Sequence, residues 1–256
     1  MTVAEAIWDD AYSAEYEGLV GIDTWDVISE EEYLNLRRTS KITFIPTMAI
    51  SVIKKDGDGN PIQAKYRIMA LGNLDTNVWT KSKCFAPVLS QFKMRLLIAI
   101  AVQLGCIPLS ADVAQAFCQA YLPPTEQYVA TAPAGCPITP KGSYWKLKKT
   151  LYGLKRSPHH WYEKAKSLLE SIGLTNAPHS PCIFTGTLLQ NQPPIYAGLY
   201  VDDLIYFSPS SAVQQEFETK FGDLISTTFN GKVDYFLGIK FTNQCHSHDN
   251  ITINMT

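Results

Sequence analysis

The sequence contains 256 residues, of which 46% are apolar and 18% charged, a composition that is typical of a folded globular protein and excludes a disordered one. No stretch approaches the roughly 18 uninterrupted apolar residues of a membrane span, and the N-terminus lacks the features of a signal peptide, so we expect a cytoplasmic protein without a membrane partner. Six widely spaced cysteines argue against a zinc site or a disulfide framework.

The net charge of −2 hides an uneven distribution of charge. Ten of the 24 acidic residues fall within residues 1–32, which contain no Lys or Arg, so residues 33–256 carry 22 basic and 14 acidic groups. A basic body of this kind would suit a polyanion lying along one face. An ordinary solvated surface rich in lysine explains the same numbers equally well.

Along the chain, the residue patterns predict helices and strands that alternate. An acidic lead-in segment, residues 1–40, contains helical stretches, and two runs rich in β-branched residues predict a hairpin over residues 44–71. Three helices are predicted next, at 92–105, 157–173 and 210–224. A final pair of strands is predicted at 234–241 and 250–255. In the third helix, four apolar side chains would face the core, those of Val213, Phe217, Phe221 and Leu224. This interleaving predicts an α+β fold.

Two adjacent carboxylates, Asp202 and Asp203, interrupt an otherwise apolar run that reads PIYAGLYVDDLIYFSP. The apolar residues on either side predict two strands of a hairpin with both acids at its tip. Burial of an unpaired, ionised carboxylate is costly, so we expect a partner for them. Asp is also a good turn former, but the preferred hairpin turns are Asp-Gly or Asn-Gly, and here Leu204 follows.

A third acid, Asp112, ends the short apolar run of CIPLSADVAQAF and has two interpretations. It fits the cap of a helix that begins there, with Gln115 completing a capping box. A strand-end Asp beside an Asp pair is also how a protein gathers oxygen ligands for Mg²⁺. Two such ions about 4 Å apart would activate an attacking 3′-hydroxyl and stabilise a leaving pyrophosphate.

Five motifs of this sequence resemble, in order and spacing, those of the reverse transcriptase of copia-type LTR retrotransposons, and the resemblance covers about residues 20–245. They are Phe85-Ala86-Pro87-Val88, Asp112 to Phe117, YWKLKKTLYGLKRSPHHWY (144–162), Tyr200-Val201-Asp202-Asp203 and Phe236-Leu237-Gly238-Ile239. The resemblance implies an RNA-directed DNA polymerase that adds deoxynucleotides to a primer 3′-hydroxyl. It also implies two Mg²⁺ or Mn²⁺ ions as cofactors, and deoxynucleoside triphosphates and a primed RNA or DNA template as partners.

The fold implied by the resemblance is a right-hand polymerase with fingers and palm, in which the palm is ferredoxin-like, an antiparallel sheet with helices on one face. Residues 41–256 would form this region, with fingers at about 41–90 and 120–157 and palm at about 91–119 and 158–245. Because the match ends soon after Phe236 to Ile239, we expect the thumb to be largely missing. RNase H and integrase domains would belong to a longer polyprotein, in a virus-like particle if the element is active.

The site residues are likewise implied by the resemblance. The catalytic residues and metal ligands are Asp112, Asp202 and Asp203, and the backbone carbonyl of Val113 is a further metal ligand. The nucleotide-binding residues are Lys65, Arg67, Phe117 and Tyr152, with Phe117 under the incoming sugar. The template- and primer-binding residues are Gly153, Lys155, Arg156, Ser157, Pro158, Tyr200, Val201, Phe236, Leu237, Gly238 and Ile239.

Other interpretations of these residues remain open at the level of sequence. Phe117 fits a core aromatic of an amphipathic helix, and Lys65 and Arg67 fit a solvated strand edge. His159 and His160 fit surface or template contacts better than metal ligands. We expect a basic face for the duplex, to which Lys146, Lys148, Lys149, Lys155 and Arg156 contribute.

Two positions depart from the family pattern. The fingers segment, usually L-V-A-[RK]-G, has Leu71 in place of the basic residue, and Lys232 is displaced from the position of a Lys that precedes the last motif. The alternative function is a non-catalytic, truncated retroelement remnant that keeps the fold and binds nucleic acid. The intact set of three acids favours the enzyme.

Overall fold

The structure is a computed structural model that describes residues 3–55, 59–134, 136, 139, 142–242 and 252–255. These residues form two units, of which the first comprises Met1–Phe85 and Phe117–Trp161 and the second comprises Ala86–Ala116 and Tyr162–Thr256. The chain therefore leaves the first unit and returns to it once. The assignment of fingers and palm, with predicted junctions at 90/91, 119/120 and 157/158, stays a prediction.

Helices and strands interleave through both units. The helices are α1 (Val3–Gly21), α2 (Glu30–Thr39), α3 (Lys81–Cys84), α4 (Gln91–Gln103), α5 (Ser157–Ser171) and α6 (Ser211–Leu224). The strands are β1 (Trp25–Ile28), β2 (Thr43–Ile45), β3 (Thr47–Lys55), β4 (Pro61–Ala70), β5 (Leu109–Val113), β6 (Tyr128–Thr131), β7 (Tyr144–Leu147), β8 (Thr175–Ala177), β9 (Ser180–Gly186), β10 (Ile195–Tyr200), β11 (Asp203–Phe207), β12 (Thr227–Lys232), β13 (Tyr235–Phe236), β14 (Ile239–Thr242) and β15 (Thr252–Met255). The predicted α+β class is confirmed, and the antiparallel sheets with their helices are consistent with the fingers and palm of a polymerase.

The first unit is built on a four-stranded sheet with the strand order β1-β7-β6-β2. Trp25 of β1 stacks on Trp145 of β7 with ring centroids 4.2 Å apart, and both rings are buried. Helix α2 begins with a capping box between Ser29 and Glu32, which satisfies backbone donors at its N-terminus. The acidic N-terminal segment thus contributes an edge strand and a well-capped helix to this unit.

The predicted hairpin is formed by β3 and β4, which make a separate two-stranded sheet in register from Thr47 opposite Ala70 onwards. Its predicted turn at 56–58 lies outside the described residues. Helix α1 covers this sheet, where Tyr12 meets Tyr66 edge-on with ring centroids 5.0 Å apart. Lys65 lies on the same strand, one residue before Tyr66, and therefore faces the opposite side of the sheet.

The second unit is built on a six-stranded antiparallel sheet with the order β12-β5-β11-β10-β9-β8. Helices of the same unit pack against this sheet. Gly198 and Ile205 are register partners and share a face, and a Cβ at Gly198 would lie 2.7 Å from Leu97 of α4. Tyr206 points to the other face and packs on Phe217 of α6, with ring centroids 4.9 Å apart. Both faces of the central strands are apolar, so each requires cover.

The three predicted long helices correspond to α4, α5 and α6, and the predicted final strand pair corresponds to β14 and β15 with β13 beside them. In α6, Val213, Phe217 and Phe221 are buried as predicted. Leu224 was predicted to face inward but is 46% exposed, because it is the last residue of the helix. Among the described residues, no helix combines the length and the apolar composition that crossing a bilayer requires.

Candidate active site

Three acidic residues lie at one end of the six-stranded sheet. Asp112 in β5 and Asp203 in β11 are direct register partners, and the Cβ atoms of such partners are about 5 Å apart. Asp202 lies in the turn that precedes β11, and its carbonyl accepts a hydrogen bond of 2.9 Å from the Val113 amide. The fold therefore brings together acids that are distant in the sequence.

The hairpin tip is a two-residue turn, because Tyr200 and Asp203 are register partners and only Val201 and Asp202 lie between them. Val201 has a φ of 55°, a left-handed conformation that is unfavourable for a β-branched residue. Hairpin turns with this conformation usually place Gly there. Backbone strain of this kind is concentrated at functional sites, so the turn holds Asp202 in place at some expense of stability.

Replacing Val201 with Gly should stabilise the protein by about 1 kcal/mol, because Gly adopts a positive φ without steric strain. Urea denaturation in EDTA would measure the change. The control is Val27→Gly in β1, which should be destabilising since Val27 has an ordinary strand conformation. A loss of stability in both variants would contradict the strain at Val201.

The Asp203 carboxyl resists ionisation. Its burial, and then the negative charges of Asp202 and Asp112, raise the pKa of Asp203 to about 6. Carboxylates that repel one another in a partly buried site are the environment in which a cation binds favourably. The three acids therefore form one electrostatic unit.

This raised pKa predicts that stability is lost with increasing pH. The contribution of Asp203 is fully present below its unfolded pKa of about 3.8 and is lost as the pH rises through about 6. At pH 7.5, Asp203→Asn should therefore be more stable than wild type by about 1 to 2 kcal/mol, a value that is reduced to allow for the partial exposure of the side chain. At pH 4.5 the difference in stability should be much smaller. Denaturation in EDTA at both pH values would test this, with Asp223→Asn as the control; a difference that does not depend on pH would be the contrary result.

The chemistry of the acid cluster fits a hard divalent cation. Mg²⁺ prefers carboxylate and carbonyl oxygens, and the predicted donors are the three carboxylates and the carbonyl of Val113. Within the described part of the chain, no three carboxylate, thiolate or imidazole side chains converge as a ready-made metal-binding group. Two of the predicted donors, Asp112 and Asp203, are nevertheless direct neighbours across adjacent strands.

The helix-cap interpretation of Asp112 is wrong. Asp112 lies inside β5, and only a one-turn 3-10 helix, Ala116–Cys118, follows it. Gln115 lies in the intervening turn with a φ of 49° and completes no capping box. Phe117 lies on this single turn and is half-buried, so it is not the core aromatic of an amphipathic α-helix.

Three of the predicted nucleotide-binding residues cluster in the first unit. The ring of Phe117 meets that of Tyr152 edge-on with centroids 6.2 Å apart, and the guanidinium carbon of Arg67 lies 5.9 Å from the Tyr152 centroid. Lys65 lies two residues before Arg67 on β4 and shares its face. The cluster combines cations with aromatic rings, which suits a ligand that has both anionic and planar parts.

The loop of residues 151–156 is fixed to the end of β4 by backbone contacts. The Ala70 amide donates a hydrogen bond of 2.7 Å to the carbonyl of Tyr152. Gly153 has a φ of 86°, and a Cβ there would overlap the carbonyl oxygen of Ala70. A Cβ at Gly72 would overlap the carbonyl oxygen of Gly153. The two glycines are therefore required by the close approach of the two backbones.

Several polar side chains follow Gly153 in the sequence, and those of Lys155, Arg156 and Ser157 were predicted to bind template and primer. They share one property, which is a partner within the first unit: Lys155 bonds to the carbonyl of Asp75, Arg156 to Glu126, Ser157 to the carbonyl of Leu151, His159 to the carbonyl of Phe85 and His160 to Glu126. Pro158 is the second residue of α5. The charged groups of Lys155 and Arg156 thus serve the protein's own structure.

The predicted basic face is also smaller than the sequence indicates. Lys148 pairs with Asp23 and Asp26, and Lys149 is buried over the ring of Tyr121, 4.8 Å from its centroid. Lys146 is exposed. Acids of the N-terminal segment therefore neutralise part of the positive charge that follows β7.

The motif Phe236 to Ile239 forms a tight hairpin between β13 and β14. Phe236 and Ile239 are register partners and are buried. Leu237 and Gly238 form the turn between them, with φ values of 50° and 77°, as a type I′ turn requires. Two buried side chains thus anchor a half-buried tip. Tyr200, the remaining residue predicted to contact the primer, ends β10 and is also half-buried.

Comparison with known proteins shows which family the chain resembles. The chain matches the model of a family described as reverse transcriptase (RNA-dependent DNA polymerase) over residues 30–254. It is 26% identical over 234 residues to the Retrovirus-related Pol polyprotein from transposon RE1 of Arabidopsis thaliana, covering 91% of this chain and 15% of that protein. It is 28% identical over 197 residues to the corresponding polyprotein from transposon TNT 1-94 of Nicotiana tabacum, covering 75% and 14%.

In two further matches, too, this chain covers only a part of the other protein. The Transposon Ty1-DR4 Gag-Pol polyprotein of Saccharomyces cerevisiae is 26% identical over 200 residues, which are 78% of this chain and 11% of that protein. A solved structure of a foamy viral protease-reverse transcriptase in complex with double-stranded DNA matches with a TM-score of 0.37 and 16% identity, covering 76% of this chain and 29% of that chain. The chain thus spans a small part of the length of the polyproteins it matches.

A family match over most of the chain defines a domain of the nucleotidyltransferase class. The chain belongs to the reverse transcriptase family, and its predicted resemblance to the copia-type retrotransposon enzymes is confirmed.

Proposed function

We propose that this chain is the core of an RNA-directed DNA polymerase of an LTR retrotransposon, which adds deoxynucleotides to a primer 3′-hydroxyl. The observation that carries the proposal is the placement of Asp112 and Asp203 on facing positions of adjacent strands, with Asp202 in the turn beside them. Membership of the reverse transcriptase family supports it. The relatives are named Pol and Gag-Pol polyproteins, so RNase H and integrase domains of a longer polyprotein are part of the proposal.

In this proposal Asp112 and Asp202 are the principal ligands of two Mg²⁺ or Mn²⁺ ions, with Asp203 and the Val113 carbonyl beside them. Bound ions of this kind supply positive charge for deprotonation of the 3′-hydroxyl and for departure of pyrophosphate. The strained turn at Val201 and the hydrogen bond from the Val113 amide hold Asp202 against β5. The backbone that carries Asp202 is therefore fixed beside β5 before any substrate binds, which supports the proposal.

The first unit supplies the proposed nucleotide contacts. Lys65 and Arg67 would neutralise the triphosphate, and Phe117 would exclude a 2′-hydroxyl by occupying its volume. Tyr152 packs against both Arg67 and Phe117, so it orients the two side chains. The hairpin tip at Leu237 and Gly238, together with Tyr200 and Val201, would contact the primer.

Single-turnover primer extension with the 256-residue chain tests the proposed function. A labelled DNA primer on an RNA template, with Mg²⁺ and one complementary deoxynucleotide, should be extended by that nucleotide, and EDTA should abolish the product. The same reaction on a DNA template would establish the template range. Retention of the primer-template in a gel-shift assay without any extension would instead favour a non-catalytic remnant that binds nucleic acid.

A further inference from the structure

Glu126 is a buried acid that no motif identifies. It is 5% exposed, and its carboxylate receives Arg156 Nη1 and, at 3.1 Å, His160 Nε2. Burial and the charge of Arg156 lower the pKa of His160 to about 4, so at neutral pH His160 donates from the Nε2–H of an uncharged ring. Arg156 is therefore the cation that compensates Glu126.

Arg156 is held on three sides within the first unit. Besides its ion pair with Glu126, its Nε donates a hydrogen bond of 2.9 Å to the carbonyl of Lys83, and its guanidinium carbon lies 4.9 Å from the ring centroid of Trp79. A planar guanidinium can stack and make several directed hydrogen bonds at once, which an ammonium cannot do. Arg156 thus ties loop 151–156 to the segment of residues 75–83.

The same segment is fixed by a second buried acid, Asp75. Although its burial opposes ionisation, hydrogen bonds from Trp79, Asn77 and Tyr128 outweigh burial and lower the pKa of Asp75. The indole of Trp79 donates to Asp75 at 3.0 Å, and Lys155 Nζ donates to the Asp75 carbonyl at 2.9 Å. The side chain that stacks on Arg156 is therefore itself held in one orientation.

Loop 151–156 is consequently attached at two points. At one point, Tyr152 and Gly153 make backbone contacts with the end of β4, the strand that carries Arg67. At the other, Lys155 and Arg156 bind segment 75–83 and Glu126. If the second attachment is lost, Tyr152 keeps its backbone contacts with β4 and its edge-on contact with Phe117, and the loop loses the side-chain bonds that hold its C-terminal end.

We propose that Glu126 is a positioning residue for nucleotide binding, acting through Arg156 to hold loop 151–156 and so to orient Tyr152 and Arg67. The inference rests on the proposed polymerase function only for its consequence at the nucleotide. Its structural part, the attachment of the loop, holds for the protein whatever reaction it performs. The two parts therefore need separate measurements.

Hydrogen exchange measures the attachment without any activity. In Glu126→Gln the Arg156 anchor is weakened, so the amide of Ala70, which bonds to the Tyr152 carbonyl, should exchange about tenfold faster. The amides of β10 and β11 in the second unit should be unchanged. The matched control is Glu218→Gln, which removes the charge of a carboxylate that accepts a hydrogen bond of 2.6 Å from Tyr206 in the second unit; it should leave Ala70 exchange unchanged. Unaltered exchange at Ala70 in Glu126→Gln would overturn the proposal.

Kinetics test the consequence for the nucleotide. Glu126→Gln should raise the KM for the deoxynucleotide about tenfold and change kcat by less than about threefold, because the reacting groups are untouched. The double variant Glu126→Gln with Arg156→Met removes the unpaired buried charge. It should recover thermal stability relative to Glu126→Gln but keep the raised KM, which a purely structural role would not produce. A KM that returns to the wild-type value together with stability would contradict positioning.

Two outcomes are kept distinct by this design. If wild-type protein extends no primer, the proposed function fails, and Ala70 exchange alone decides whether Glu126 holds the loop. If Glu126→Gln does not fold, Arg156→Lys replaces it, since Lys keeps the charge but loses the stacking on Trp79 and the forked hydrogen bonds. Wild-type exchange and KM in Arg156→Lys would then count against the proposal.

Discussion

Replacement of Asp202 by Asn is expected to reduce the rate of the first nucleotide addition by about a thousandfold, while the metal-free protein becomes more stable. Asn has the same shape and leaves the backbone hydrogen bond from Val113 to residue 202 in place. It removes a negative charge that, together with the larger effect of burial, raises the pKa of Asp203 to about 6. Opposite effects on rate and stability are the mark of a residue retained for function rather than for folding.

The measurement is single-turnover extension by one nucleotide, accompanied by thermal unfolding in EDTA. Asp112→Asn should behave in the same way, because Asp112 also contributes to the raised pKa of Asp203. The control is Asp223→Asn, an exposed acid of α6, which should change neither quantity. Extension by Asp202→Asn at the wild-type rate would remove Asp202 from the proposed mechanism.

The hairpin that carries Asp202 and Asp203 was predictable because two apolar runs of strand length flank a two-residue interruption. The role of Asp112 was harder to predict from local pattern, since an Asp followed three residues later by Gln is an equally good helix cap. The pairing of β5 with both β11 and β12 decides the matter. These pairings join segments about 90 to 120 positions apart and have no local signature.

The internal partners of the basic residues could not be predicted for the same reason. Arg156 and Lys155 lie in a motif with many basic neighbours, which favours the interpretation that they contact a polyanion. Their partners, the carboxylate of Glu126 and the backbone carbonyl of Asp75, lie 30 and 80 positions away. For Glu126 the sequence offers one relevant signal, which is that this acid stands at the border of a long stretch without acidic residues. Burial of its carboxylate requires a compensating partner, and the residues of that stretch include the basic ones.

Replacement of Phe117 by Val should increase ribonucleotide incorporation relative to deoxynucleotide incorporation by about a hundredfold. In the proposed function the ring of Phe117 occupies the volume that a 2′-hydroxyl would need, so discrimination arises from a clash that Val removes. The backbone position should persist, because the carbonyl of Phe117 accepts a hydrogen bond of 2.6 Å from Thr150. Loss of the edge-on contact with Tyr152 is the structural cost of the change.

Single-nucleotide extension with a ribonucleotide and its deoxy counterpart, each over a range of concentrations, gives the ratio of kcat/KM values that measures this discrimination. Phe44→Val is the matched control, because it truncates a partly exposed aromatic of the same unit that packs on Tyr33 and Tyr144 instead of Tyr152. It should leave the ratio unchanged even if it lowers stability. An unchanged ratio in Phe117→Val, with deoxynucleotide addition retained, would mean that the 2′-position is sensed by another residue, whereas a changed ratio in both variants would attribute the effect to general loosening of the first unit.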